Sequence, residues 1–162
     1  MSFIFIKRIK KELQLYKKDN FTFPNLILQP SNDLSVWYFI IYNLDDTDYA
    51  GGMYLGKVLL PPGYPFKAPD FMFLTETGRF EINKKICTSF SGFHNDLYSP
   101  SWNIASMCAG LVSFLTDCQD TIESKGIGGI YSSKEDKKKI AMDSIEIIKK
   151  NDIVKTYFTN FI

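Results

Sequence analysis

Cysteine is scarce in this 162-residue chain: three residues, an odd number, with no C-x-x-C spacing. That excludes a disulfide scaffold and fits a reducing, cytosolic setting. Charge of one sign is absent as well. Lys+Arg number 19 against 18 Asp+Glu, a net charge of +1, so no global field draws in nucleic acid and only a local basic face stays open. No apolar run approaches the roughly 18 residues of a membrane span. The opening Met1-Ser2-Phe3-Ile4-Phe5-Ile6 lacks a basic n-region, and its apolar stretch is too short for a signal peptide. Repeats and low-complexity segments are missing too. What is abundant is apolar mass: 45% hydrophobic residues and 15% aromatics, with 14 Phe and 9 Tyr. Those proportions suit one domain over residues 1–162 with a sizeable core.

Periodicity supplies the elements. Phe3, Ile6, Ile9, Leu13 and Tyr16 recur at three- and four-residue steps and predict an amphipathic first helix. Lys7, Lys11, Gln14 and Lys18 fall on its opposite side, with Arg8 and Lys10 at the flanks, and the helix is expected to stop near Asp19-Asn20. Four strands follow, at Asn25 to Gln29, Val36 to Tyr42, Met53 to Leu60 and Phe71 to Leu74. Their short connections suit an antiparallel meander better than parallel crossovers. A long irregular stretch from Thr75 to Ser101 comes next, a length that inside a compact domain usually carries function. Ile104, Cys108, Leu111 and Leu115 mark a second helix. Ser132 with Glu135, or Ser133 with Asp136, has the spacing of a capping box for a helix running to about Lys150. Asn151 or Asp152 can cap a last short helix carrying Ile153, Tyr157, Phe158 and Phe161. The fold class is α+β: a helix, a four-stranded meander, a long loop, then C-terminal helices.

Within the long loop, Cys87 stands out. Lys84 and Lys85 precede it, positive neighbours that favour a nucleophilic sulfur. His94, the only histidine, follows seven residues later, so a base-activated Cys–His pair is one reading and a loop histidine with a local hydrogen bond is the other. Cys108 sits in an apolar helical stripe and reads as core. Cys118 follows that helix. A zinc site from Cys87, His94, Cys108 and Cys118 is disfavoured by its spacing, so no metal is assigned. Gly126 to Gly129 lacks the Gly-Lys-Ser/Thr of a phosphate cradle and reads as a flexible turn. Glu135 to Lys139 reads as a solvated helix face.

Taken in order, several stretches resemble the ubiquitin-conjugating enzymes. IKRIKKELQLY from Ile6 to Tyr16 is similar to that family's opening helix. Tyr49-Ala50-Gly51-Gly52 resembles its YxGG turn, PPGYPFKAP from Pro61 to Pro69 its PxxYPFxPP loop, Ile86-Cys87 its active-site IC, and Ser99-Pro100-Ser101-Trp102 the loop before its second helix. Within the family the chain most resembles the divergent endoplasmic-reticulum-associated branch, which has TPNGRF in place of HPN and FHPDTWNPAW after the cysteine. Here the counterparts are TETGRF from Thr75 and FHNDLYSPSW from Phe93, with Thr77 replacing the asparagine and Asn95 the proline.

The resemblance implies a ubiquitin-conjugating fold and a cysteine acyltransferase. Cys87 would accept the carboxyl terminus of ubiquitin, or of a ubiquitin-like modifier, as a thioester from an activating enzyme. With a ligase it would then pass the acyl group to a substrate protein's amine, with a Ser or Thr hydroxyl as the alternative acceptor. No cofactor, metal or nucleotide is needed at the site, because the acyl group arrives activated. The family asparagine supports the active-site loop or the oxyanion; in its absence His94, with Asn83 and Asn95 in reserve, is expected to supply the polar contact beside Cys87. The partner-binding positions implied are Lys7, Arg8 and Lys11 for the activating enzyme and ligases, Phe66 for the first ligase-contact loop, and Pro100 and Ser101 for the second. The expected location is cytoplasmic, at the cytosolic face of the endoplasmic reticulum if a membrane anchor lies outside this sequence. Two rivals stand beside this reading: a weak or inactive scaffold that binds ubiquitin or ligases, and a cysteine hydrolase using Cys87 and His94.

Overall fold

A computed structural model describes residues 1–18, 23–88, 91–117 and 126–161. Its elements are α1 (Phe3–Lys18), β1 (Leu26–Pro30), β2 (Val36–Ile41), β3 (Tyr54–Leu59), β4 (Asp70–Phe73), a 3-10 turn (Gly92–His94), α2 (Ile104–Thr116), α3 (Lys134–Lys150) and α4 (Asp152–Tyr157). The four strands form one antiparallel sheet in the order β1-β2-β3-β4. The α+β meander expected from the short connections is therefore present. The expected end of the first helix, at Asp19-Asn20, lies outside the described residues.

Strand β2 is apolar throughout because both sheet faces are covered. Side chains alternate along a strand. Trp37, Phe39 and Ile41 accordingly enter one core, together with Val58 of β3, Phe71 and Phe73 of β4, Phe5 and Ile9 of α1 and Leu111 of α2. Ile40 and Leu55 face the other way, against Ile148 of α3 and against Val154 and Phe158. Complete burial of a side chain such as Phe39 contributes about 1.5–3 kcal/mol. Gly56 is required opposite that ring: a Cβ there would lie 2.1 Å from Phe39 Cζ.

Helix ends follow short polar side chains. Asn103 accepts from the Ser106 amide at 2.8 Å while the Ser106 hydroxyl accepts from the Asn103 amide at 3.2 Å, a reciprocal cap on α2. Ser133, the second of the two expected capping positions, accepts from the Asp136 amide at 3.1 Å and starts α3. Asn151 does the same for α4 through the Ile153 and Val154 amides.

The first helix departs from its expected stripe. Its buried residues are Phe5, Ile9, Glu12 and Tyr16, with Ile6 and Leu13 partly buried behind them. Phe3, placed on the inner face by periodicity, is 79% exposed. The inner stripe follows the same helical period but is shifted so that Phe5 enters the core, and a carboxylate occupies one of its buried positions.

Candidate active site

Two backbone strips hold the stretch around Cys87. From one side, the Ile86 amide donates to the Phe71 carbonyl at 2.9 Å, which ties the stretch to β4. On the other, the Cys87 amide donates to the Ile127 carbonyl at 3.1 Å and the Glu81 amide to the Gly128 carbonyl at 2.8 Å, while the Ile130 amide donates to the Arg79 carbonyl at 2.8 Å. The glycine run read as a flexible turn is therefore a strap along the cysteine segment. Gly128 has φ +86°, and a Cβ there would lie 2.9 Å from the Lys85 carbonyl oxygen, so glycine alone permits this approach.

Beyond the cysteine the chain turns back. The Ser91 hydroxyl accepts from the Thr88 amide and donates to the Thr88 carbonyl, both at 3.0 Å. The Gly92 amide donates to the Pro69 carbonyl at 3.0 Å and the His94 amide to the Ser91 carbonyl at 3.0 Å. This fold-back brings His94 to the sulfur: Nε2 stands 3.0 Å from Cys87 Sγ. Both residues are partly exposed. A thiol at this distance from an imidazole can lose its proton to the ring and regain it later.

The two lysines before the cysteine are engaged elsewhere. Lys85 pairs with Asp70 at 2.7 Å and Lys84 with Glu81 at 3.1 Å. Their expected electrostatic support for the sulfur is therefore shared with two carboxylates. Cys108 is fully buried in α2, and burial pushes its thiol well above its ordinary value, as befits a core residue. Cys118 lies outside the described residues. Among the described residues no three His, Cys, Asp or Glu side chains cluster as metal ligands.

The asparagines divide. Asn95 is committed to the loop: its Oδ1 accepts from the Ala68 amide at 3.1 Å and its Nδ2 donates to the Gly92 carbonyl at 2.9 Å. Asn83 turns the chain at φ 60°, a conformation asparagine tolerates, with an exposed side chain and its amide on the Phe73 carbonyl at 2.8 Å. Thr77 is fully buried, and its hydroxyl accepts from both the Arg79 and Phe80 amides at 3.1 Å. It braces the turn from inside.

Glu12 is the residue that periodicity missed; its signal was a carboxylate at a buried position of the stripe. It is 5% exposed. Oε1 accepts from Arg8 Nε and from the Tyr64 hydroxyl, each at 2.5 Å, and Oε2 accepts from the Ile104 amide at 2.7 Å. Arg8, expected as a flank residue open to partners, is drawn inward. Its Nη2 donates to the Trp102 carbonyl at 2.6 Å and its guanidinium lies 5.7 Å from the centre of the Tyr64 ring. Burial works against the Arg8 charge, but the Glu12 hydrogen bond and charge outweigh it and hold the pKa above its ordinary value. Burial foremost, then Glu12, pushes the Tyr64 phenol far above its usual range. Lys7, Lys11, Pro100 and Ser101 are exposed, and Phe66 is 69% exposed.

Residues 8–143 match the family model described as Ubiquitin-conjugating enzyme. This chain belongs to the ubiquitin-conjugating enzyme family. It is 33% identical, over 97% of its length and 62% of the other protein, to the probable ubiquitin-conjugating enzyme E2 33 of Arabidopsis thaliana. Identity is again 33% to the ubiquitin-conjugating enzyme E2 J2-like protein of Dictyostelium discoideum, over 90% of this chain and 82% of that one. With human ubiquitin-conjugating enzyme E2 J2 it is 31% over 91% of this chain. The chain thus spans 62% of the length of the plant relative and 54% of the human one. The crystal structure of a protein from Plasmodium yoelii described as a putative ubiquitin conjugating enzyme superimposes with a TM-score of 0.61 at 21% identity, over 74% of this chain and 77% of that one, a likeness of fold. In this member of the family, the segment that carries Cys87 holds the Cys–His contact.

Proposed function

We propose that this chain carries ubiquitin, or a ubiquitin-like modifier, as a thioester on Cys87 and transfers it to a protein substrate. The 3.0 Å contact between Cys87 Sγ and His94 Nε2 carries the reading. His94 takes the thiol proton, and the sulfur attacks the thioester carbonyl presented by an activating enzyme. The tetrahedral intermediate collapses, a new carbon–sulfur bond remains on Cys87, and the activating enzyme's sulfur leaves with the proton that His94 had taken, so the imidazole is neutral again. In the second transfer a substrate amine or hydroxyl attacks the same carbonyl. His94 accepts the nucleophile's proton and returns a proton to the departing Cys87 sulfur, so the catalyst ends as it began.

Among the described residues, the main-chain amides of Cys87 and Thr88 are already committed, Cys87 to the Ile127 carbonyl and Thr88 to the Ser91 hydroxyl. That supports His94 as the donor to the oxyanion, with Asn83 in reserve because its side-chain carboxamide is exposed. Asn95, whose amide group bridges Ala68 and Gly92, acts as a brace of the loop. Lys7, Lys11 and Phe66, with Pro100 and Ser101, supply the surface for the activating enzyme and a ligase. Arg8 contributes from within by fixing that surface. Among the described residues no helix is long and apolar enough to cross a membrane; the resemblance to the endoplasmic-reticulum-associated branch supports a site of action on the cytosolic side of that membrane.

Thr77 in place of the family asparagine favours a second reading, a scaffold that binds ubiquitin or ligases with little chemistry. Loading separates the two. Incubated with activating enzyme, ATP and ubiquitin, the wild-type chain should form a reducible adduct. Cys87→Ser should form a reductant-resistant oxygen ester or none. A folded wild-type chain that stays unloaded would overturn the thioester reading and leave the scaffold and the cysteine hydrolase.

A further inference from the structure

Resting on the reading that the exposed loops bind a ligase, we infer that Glu12 is a positioning residue that holds three partner-facing segments in one register. Each of its three donors comes from a different segment: Arg8 from α1, Tyr64 from the Pro61–Pro69 loop, and the Ile104 amide from the start of α2. Every donor stands close in sequence to an exposed position. Arg8 adjoins Lys7, Tyr64 precedes Phe66 by two residues, and Ile104 follows Ser101 by three. Further contacts join the same segments. The Tyr98 hydroxyl donates to the Pro65 carbonyl at 2.9 Å, the Tyr98 and Trp102 rings meet edge to face at 6.1 Å, and Arg8 reaches the Trp102 carbonyl.

A buried carboxylate is a poor choice for stability alone, since well-packed apolar residues commonly do as well or better. Its value lies in direction. Two oxygens with three directed donors fix the mutual placement of three chain segments, which a leucine in the same space would not. The negative charge also sits at the N-terminal end of α2, where the helix dipole favours it. The exposed Phe66, Pro100 and Ser101 then present one surface whose geometry is set from beneath.

The test uses Tyr64→Phe, which keeps the ring packed edge-on against Phe5 and removes one donor, alongside Glu12→Gln and Glu12→Ala. The first readout is amide hydrogen exchange. In Tyr64→Phe, exchange should rise about fivefold or more at Phe66 and Lys67, whose amides bond the Gly63 carbonyl, and at Trp102. Amides of the central strands should keep wild-type rates. The second readout is discharge of the Cys87 thioester driven by a RING domain chosen because it accelerates the wild-type reaction. Half-saturating RING concentration should rise about tenfold or more, the scale of one lost charge-assisted hydrogen bond, with the saturated rate and the ligase-free rate unchanged. Glu12→Ala should move both readouts further and Glu12→Gln less. Unchanged exchange in the two loops, or exchange raised equally in the sheet, would overturn the inference. So would a ligase-free rate that falls by the same factor as the ligase-driven one. If wild type takes no ubiquitin, the thioester reading fails and the exchange experiment alone decides the role of Glu12.

Discussion

Replacing His94 by alanine tests the chemistry most directly. The substitution removes the imidazole that stands 3.0 Å from Cys87 Sγ. The main-chain amides of Cys87 and Thr88 offer no substitute, because the strap and Ser91 already hold them. The loss should therefore approach the full worth of one preorganised donor, about 10²–10³ in rate or roughly 2.7–4 kcal/mol of barrier. A proton-transfer role alone would also cost about 10²–10⁴. The assay is single-turnover: load the chain, quench the activating enzyme, and follow decay of the thioester with free lysine and with free serine. Serine should suffer more. Its hydroxyl must surrender a proton as it attacks, whereas the fraction of lysine already unprotonated needs no such help. His94→Gln should recover part of the lysine rate, as a neutral donor, and little of the serine rate. Thioester decay in His94→Ala at the wild-type rate with both acceptors would show the imidazole to be a bystander and would refute the reasoning.

Further outcomes follow from the supporting shell. Thr77→Val keeps the shape but strands the buried amides of Arg79 and Phe80, at about 1–3 kcal/mol per amide; an unchanged denaturant midpoint would contradict the brace. Gly128→Ala forces a Cβ to 2.9 Å from the Lys85 carbonyl at φ +86°, so stability should fall by about 1–2 kcal/mol or more and Cys87 loading should slow with it, as gel-based charging would record. Phe66→Ala, at a position 69% exposed, should leave stability within about 0.5 kcal/mol yet depress ligase-driven discharge tenfold or more, with ligase-free discharge as the control. Alkali should weaken the fold through its buried phenols. Burial pushes Tyr98 from 10.0 up to about 12, and Tyr64 rises further. The folded chain thus keeps protons that the unfolded chain releases near pH 10. Stability is whole below that pH and falls above it, by up to about 1.4 kcal/mol per pH unit for each such group. Denaturant midpoints that hold steady from about pH 10 to 12 would contradict this.

How much of this was legible depends on what kind of signal each residue emits. The meander was plain because the connections between Val36 and Phe73 suit antiparallel pairing better than crossovers, and Val36 to Tyr42 is apolar on both pleat faces. α4 announced itself through Asn151 and its apolar residues. Cys87 and His94 were visible as residue types in a long loop, but their contact depends on the fold-back at Ser91, a serine hydroxyl on its own neighbours' backbone, which no periodicity reports. The reciprocal cap of Asn103 and Ser106 was hidden for the same reason. The strap at Gly126 to Gly129 was misread because glycine signals freedom equally when the chain is loose and when another backbone lies against it. Phe3 and Phe5 are both aromatic at the start of a helix, so the choice between them belongs to the core that receives them.

The polar residues carry the largest gap between reading and structure, and the gap has one cause. A buried polar side chain is stable only with specific partners distant in sequence, and those partners are what a linear pattern omits. Glu12 needed Tyr64 and Ile104; Arg8 needed Trp102. Thr77 shows how this bears on chemistry. The family asparagine was expected to brace the loop or to hold the oxyanion. A threonine hydroxyl buried against the Arg79 and Phe80 amides meets the first need at short reach, and its complete burial keeps it from the second. On the proposed reading the two tasks separate in this chain, one inside the turn and one at the sulfur. The side chain in place for the second is an imidazole, which, unlike an amide, can also accept a proton. On the proposed reading, Thr77 takes over the bracing and leaves the oxyanion to His94, which the resembled branch also carries after its cysteine.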